Sequence, residues 1–301
     1  MRYDILMHLV AQLIHDRIQG KKDNAVLALV IGGGAMRGVC AAGMLSVLEE
    51  AGATDHFDHV YGASAGATNG AIFLARQCRT LLPALLTLLG GKRFIHMTRR
   101  GLHADVGMVF RQLFMPETLL NTARIIAHRT VLHISAIDAT TGAAAWFTNR
   151  DGTDLVTALH ASAAIPSFYN KPVAIGGRSY LDGGVAAPLA VDQAFQDGAT
   201  HVLALSTVTE AYRAVNRHPL VERWMRRKTG KFGVGFREVF AERYARFNES
   251  LDLAFGRVPP PARVALLTVA PATLIGWAER RHTVLQRAVQ EGREEMRRVL
   301  L

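Results

Sequence analysis

The stretch AVLALVIGGGAMRGVCAAGMLSVLEEAGA, residues 25–53, decides the fold. Its leading apolar run reads as a buried strand that ends at Gly32, Gly33 and Gly34. A helical run from Val39 follows, closed by Gly52. The same order then returns: HVYGAS (59–64) reads as a second short strand, and AGATNGAIFLARQC (65–78) as the helix that continues from it. Strands alternating with helices in this way predict an α/β fold with a largely parallel central sheet and helices on both faces.

Working outward, residues 79–128 read as helical and irregular, and LHADVGMVFRQLF (102–114) takes no clear class. VLHISAIDATTG (131–142) and AAAWFTN (143–149) are two strands joined near Gly142, and TDLVTALHASAAI (153–165) is a helix stopped by Pro166. RSYLDGG (178–184) closes a strand, AVDQAFQDGA (190–199) is a helix and HVLALST (201–207) a buried strand. PPPA (259–262) is a stiff connection into the last strand, ARVALLTVAP (262–271). A long helix follows with Leu285, Ala288, Val289, Gly292, Met296 and Val299 on one face, which is expected to pack against the sheet. The organisation expected is an N-terminal helix over 1–24 and one domain over 25–301, with a basic extension from 212 packed on a core spanning 26–207.

Half of the 301 residues are hydrophobic and a fifth are charged, a balance that excludes disorder. Cys40 and Cys78 lie in helical runs with no metal-type spacing, so they read as core residues; no disulfide framework, metal or cofactor is expected. The N-terminal residues Ile5, Leu6, Leu9, Val10, Leu13 and Ile18 fall near helical spacing, predicting an amphipathic helix docked on the body or on a membrane surface. Its interrupted apolar pattern does not match a signal core. The longest apolar candidate, LLPALLTLLGG (81–91), falls short of the ~18–20 residues of a spanning helix and contains Pro83. These features imply a cytoplasmic protein, with room for peripheral contact at the inner face of the membrane.

A formal charge of +10 favours an anionic partner. The densest basic segment, RHPLVERWMRRKTGKFGVGFRE (217–238), places Trp224, Phe232 and Phe236 among cations. It reads as a solvated helical face first, a patch for anionic membrane second and a nucleic-acid site last.

LVIGGGAMRGVC (29–40) carries the first chemistry. A glycine-rich turn between strand and helix offers backbone N–H groups and a positive helix end to an anion. A dinucleotide fingerprint fails, because the next required glycine falls on Arg37 and the second strand ends in Gly-Ala-Ser rather than near an acid. A phosphate loop fails because Gly38 is followed by Val39, not by Lys-Ser/Thr. The oxyanion of an acyl transfer remains, held by N–H groups of the Gly32 to Arg37 loop. Arg37 itself reads equally as a phosphate ligand or as one side of an ion pair.

GASAG (62–66) supplies the second chemistry. Ser64 falls at a strand-to-helix junction between Gly62 and Gly66, the composition of a nucleophile elbow, although a serine there also reads as a simple helix cap. Loops after neighbouring parallel strands open on one edge, so the glycine cradle and the serine would face one cleft. A serine needs a base. His282 lies in an arginine-rich run, His201 precedes a strand and His160 sits within a helix, so each reads as structural. Asp182, followed by Gly183 and Gly184, closes a strand where a carboxylate can be presented to a cleft, and it also reads as a turn-stabilising residue.

GGGAMRG, GASAG, a helix ending SAAIPSFY, and YLDGG, in that order, resemble the patatin-like phospholipase family, most closely its bacterial branch. The resemblance covers residues 26–207. It implies a three-layer patatin-like fold and a Ser-Asp dyad without histidine. Ser64 would be the nucleophile and Asp182 its partner, with the loop of Gly32, Gly33, Gly34 and Arg37 as oxyanion hole and Gly38, Gly62, Gly66, Gly183 and Gly184 supporting the motifs. The implied reaction is ester hydrolysis on phospholipids or lysophospholipids without a cofactor; the rival is a non-catalytic protein holding an anionic lipid or fatty acid on the same loops. Many members read DGG-x-x-x-N-x-P, whereas this chain carries Pro188 and Ala190 at those places, which bears on substrate-pocket contacts. Asp182 is expected near its ordinary pKa of ~4, ionised and weakly basic at neutral pH.

Overall fold

The computed structural model describes residues 2–98, 101–114, 119–216, 218–261 and 264–300, with backbone alone for residues 2–8 and 113. Arg217, Ala262 and Arg263, which belong to segments read above, lie outside the described residues, as do the side chains of Ile5 and Leu6. The chain opens with α1 (Arg2–Ile18), β1 (Leu27–Ile31), α2 (Gly38–Glu50), β2 (His59–Ala63), α3 (Ala65–Leu74) and α4 (Cys78–Leu89). A small antiparallel hairpin follows, β3 (Ile95–Thr98) with β4 (Gly101–Ala104), and then α5 (Val106–Val109), which runs into one π-helical turn, Phe110–Phe114. Next come α6 (Thr122–Ile126), β5 (Val131–Asp138), β6 (Ala144–Thr148), α7 (Leu155–Ser162), β7 (Val173–Ile175) and β8 (Arg178–Asp182). α8 (Val191–Gln196), β9 (His201–Leu205), α9 (Pro219–Thr229), α10 (Val234–Ala254), β10 (Ala265–Val269) and α11 (His282–Leu300) complete it.

Strands β10, β9, β1, β2 and β5 lie side by side and all run parallel. β6 and β8 pair antiparallel with β5, and β7 closes the far edge against β8. Side chains of β1 alternate between two cores. Leu27, Leu29 and Ile31 pack with residues of α1, α2, α3, α7 and α11, while Ala28 and Val30 pack with residues of α8 and α10. The sheet is therefore covered on both faces, as expected for parallel strands that read as continuous apolar runs.

Four local expectations are corrected. The helix after Ser64 ends at Leu74, not Cys78, because Arg76 adopts φ 55° and breaks it before α4 begins. α7 stops at Ser162, before Pro166 is reached. In α1, Val10 and Ile14 are fully buried whereas Leu9 is 45% exposed, so the docked stripe is rotated from the one read in the sequence. α11 buries the expected residues, but its main partner is α2 rather than the sheet: a Cβ at Gly43 would stand 2.2 Å from the Val289 carbonyl oxygen, and one at Gly292 would stand 2.1 Å from that of Cys40. Both cysteines are buried, which pushes the Cys40 thiol up to about 12 and raises that of Cys78 well above the ordinary thiol value. Among the described residues, no helix is long and apolar enough to cross a membrane.

Candidate active site

Ser64 sits between the end of β2 and the start of α3 with φ 56° and ψ −125°, a conformation that non-glycine residues rarely adopt. Close approach of strand and helix enforces it. A Cβ at Gly66 would stand 2.2 Å from the Ile31 carbonyl oxygen and one at Gly62 would stand 2.5 Å from the Ala67 nitrogen, so neither position admits a side chain. The Ser64 N–H donates to Ser162 Oγ at 2.9 Å, which ties the turn to the end of α7. Ser162 is fully buried, and sequence reading missed it; the only signal was a hydroxyl at the last position of the helix.

Asp182 reaches the serine by an unexpected route. On one edge of β5, Ala63 pairs with Ser135 while Asp182 pairs with the next residue, Ala136. β6 occupies the opposite edge over the same residues. β2 and β8 therefore run toward each other along a single edge of β5 and stop tip to tip. Adjacent β5 positions are separated by one strand rise of ~3.4 Å, so Ser64 and Asp182 meet where the two strands end. The Ser64 hydroxyl stands beside the Asp182 carboxylate, near enough to favour its charged form, and the Gly184 N–H donates to Asp182 Oδ1 at 2.8 Å.

The expected ordinary pKa of Asp182 is corrected. Burial raises it to about 6, against the pull of the hydrogen bonds from Ser64 and Gly184. A carboxyl at that value is a stronger base than a surface aspartate and remains ionised at neutral pH.

The glycine loop lies over the serine: a Cβ at Gly33 would stand 3.5 Å from Ser64 Cβ. Only part of the expected loop has free donors. The Gly32 N–H is committed to the Leu205 carbonyl at 2.9 Å, that of Gly33 to Pro188 at 3.2 Å, and that of Arg37 to Gly34 at 3.1 Å. The N–H groups of Gly34, Ala35 and Ala65 have no acceptor among the described residues, and all three residues are partly exposed. Thr207 aims one of them. Its hydroxyl donates to the Gly33 carbonyl at 2.6 Å, and because the peptide unit is planar and trans, the Gly34 N–H must point the opposite way. Gly34 itself has φ 155°, and a Cβ there would stand 2.7 Å from Thr207 Oγ1.

Ser64, Ala35 and Ala65 open on a narrow cavity of about 70 Å³ whose walls are almost wholly apolar. Leu85 and Leu89 of α4 line it together with Phe94, Val109, Phe110 and Phe114, so the segment that took no clear class in the sequence forms much of the enclosure. The site thus combines a strained serine, a buried base, unpaired N–H donors and room for an aliphatic group.

The other candidate residues lie apart from this chemistry. Arg37 is neither in a recorded ion pair nor directed to the cavity; it stacks 4.9 Å from the Tyr212 ring and donates to the Ile275 carbonyl at 3.3 Å. Pro188 accepts from the loop at Gly33, Ala190 precedes α8, and neither lines the cavity. His160 pairs with the Tyr169 hydroxyl at 3.1 Å, and His201 contacts Thr200 Oγ1 at 3.0 Å. Phe236 of the basic segment is fully buried, Trp224 packs on Phe168, and Glu222 binds Arg226 and Arg243. No three His, Cys, Asp or Glu side chains converge as a metal cluster among the described residues.

Comparison with known proteins gives the following likenesses. The family described as Patatin-like phospholipase matches residues 29–102 and 109–195. Protein YjjU of Escherichia coli (strain K12) is 28% identical over 207 residues, which is 66% of this chain and 57% of that protein; the chain thus spans little more than half the length of this curated relative. Among solved structures, VipD from Legionella pneumophila superimposes with a TM-score of 0.45 at 10% identity, covering 92% of this chain and 67% of that one.

Proposed function

The chain belongs to the patatin-like phospholipase family, and on that premise we propose that it is a lipid acyl hydrolase working through Ser64 and Asp182. The observation that carries the reading is a serine in a strained turn, beside a buried carboxylate, at the mouth of an apolar cavity. Asp182 takes the Ser64 proton as Oγ attacks the ester carbonyl carbon. The oxyanion is held by the N–H groups of Gly34 and Ala35, with Ala65 at the positive end of α3. Collapse expels the alcohol, which receives the proton from Asp182. Water then attacks the acyl carbon and gives a proton to Asp182; collapse breaks the bond to Ser64 Oγ, which takes that proton back from Asp182 as the acid leaves. The acyl chain occupies the cavity beneath α4 and α5, and the substrates are phospholipids or lysophospholipids.

A panel of p-nitrophenyl esters and defined phospholipids tests this reading. Hydrolysis of at least one class, dependent on Ser64, is expected. Tight binding of anionic vesicles with no turnover of any ester would favour a non-catalytic lipid-binding protein instead.

Thr207 is a positioning residue under this mechanism. Thr207→Val leaves the Gly33 carbonyl without its donor and frees the peptide to rotate, so kcat is expected to fall by roughly tenfold or more, against the 10²–10³ seen when a whole oxyanion donor is removed elsewhere. KM for a short ester should stay nearly constant, and Thr207→Ser should restore kcat. An equal loss in the serine variant would assign Thr207 to packing alone.

A further inference from the structure

The cavity over Ser64 has two neighbours around α4. It shares Asn69 and Leu85 with a small void, and that void shares Cys78 and Leu82 with a groove of about 790 Å³ on the outer surface between α4 and α11. An apolar seam therefore runs beneath α4 from the serine toward the far side of the helix. The wall along this seam contains Pro83, which removes one helical hydrogen bond from α4.

The floor of the groove is aliphatic, formed by Leu82, Pro83, Leu86 and Val289, while its rim carries Arg79, Arg287, Arg293 and Arg297. Glu50 is the one acid that lines it. Arg293 satisfies that acid, donating to both carboxylate oxygens at 2.9 and 3.0 Å. Arg79, Arg287 and Arg297 form no ion pair among the described residues, so three guanidinium groups are left facing an aliphatic trough. The volume lies in the range of small-molecule sites, ~300–1,000 Å³. No Phe, Tyr or Trp lines it, so it offers no platform for stacking bases.

We propose that this groove binds a long-chain carboxylate, with the aliphatic tail on the Leu82–Leu86 floor and the anionic head among Arg79, Arg287 and Arg297. The choice of occupant rests on the hydrolase reading, because that reaction releases such an acid beside the other end of the seam. The groove and its charge do not depend on that reading. A guanidinium fork matches a carboxylate in geometry as well as charge, which separates this ligand from a neutral alcohol of equal length.

The test is calorimetric titration of dodecanoate into the Ser64→Ala protein, which holds product binding apart from turnover. Saturable binding is expected, weakened at least about tenfold by Arg79→Gln/Arg297→Gln with the melting temperature unchanged. Dodecanol should bind far more weakly and respond little to the same pair. No binding, binding unaffected by the pair, or equal binding of dodecanol would overturn the proposal. Hydrolysis of a short p-nitrophenyl ester by otherwise wild-type protein carrying the pair should be unchanged. Ester hydrolysis without dodecanoate binding would sink the groove alone, and the reverse would sink the enzyme reading alone.

Discussion

Replacement of Ser64 by alanine is expected to bring ester hydrolysis to background, a loss on the order of 10⁶-fold when a serine nucleophile is removed. The size follows from the chemistry: among the described residues that line the cavity, Ser64 alone stands beside a buried carboxylate, and the remaining donors can only polarise a carbonyl. A fluorophosphonate probe should bond to the wild-type protein at Ser64 and leave the alanine variant unlabelled. A folded wild type that resists the probe would argue against the nucleophile. Ser64→Gly should be as inactive as Ser64→Ala but more stable. Glycine accepts φ 56° and ψ −125° without the strain that alanine retains, a difference of about 1 kcal/mol. Thermal melts of the two inactive variants therefore read the strain of the elbow independently of activity.

Asp182→Asn is expected to lower kcat/KM on the order of 10⁴-fold, as when the partner of a catalytic base is neutralised in other serine enzymes, and yet to make the protein more stable at neutral pH. Burial raises the folded-state pKa of Asp182 to about 6, above its unfolded value. The folded state therefore holds the proton more tightly. Stability from this group is present below about pH 4 and is lost as pH rises through about 6. Above that window the ionised, buried carboxylate costs up to roughly 3 kcal/mol. Asparagine keeps the acceptor for Gly184 and removes the charge, so denaturant midpoints should rise at pH 8 and differ little at pH 4. Wild-type kcat/KM should rise through the same pH region, because the ionised form is the base. Activity in the asparagine variant near that of wild type would mean that Asp182 is not the base.

The parts of this site that were legible in the sequence are those governed by neighbours along the chain. Three consecutive glycines after an apolar run, and a serine flanked by Gly62 and Gly66, fix a strand, a turn and a helix locally, and the structure has all three. What could not be read depends on partners remote in the chain. The N–H groups of Gly32 and Gly33 are lost to Leu205 and Pro188, so the loop's usable donors shift to Gly34 and Ala35. Ser162 and Thr207 act through one hydrogen bond each, which no periodicity signals. The raised pKa of Asp182 is a collective result of burial. α11 has one apolar stripe, and a stripe alone does not distinguish a sheet from α2 as its partner.

The head-on arrangement of β2 and β8 along β5 also fixes when the serine can acquire its base. Ser64 and its loop leave the ribosome well before Asp182, and at ~5–20 residues per second the interval is on the order of ten seconds. β5 must be laid down between them, since its register is what brings the two tips together. During that interval a nascent chain carries Ser64 without Asp182, so the pair can form only after the second tip has docked on β5.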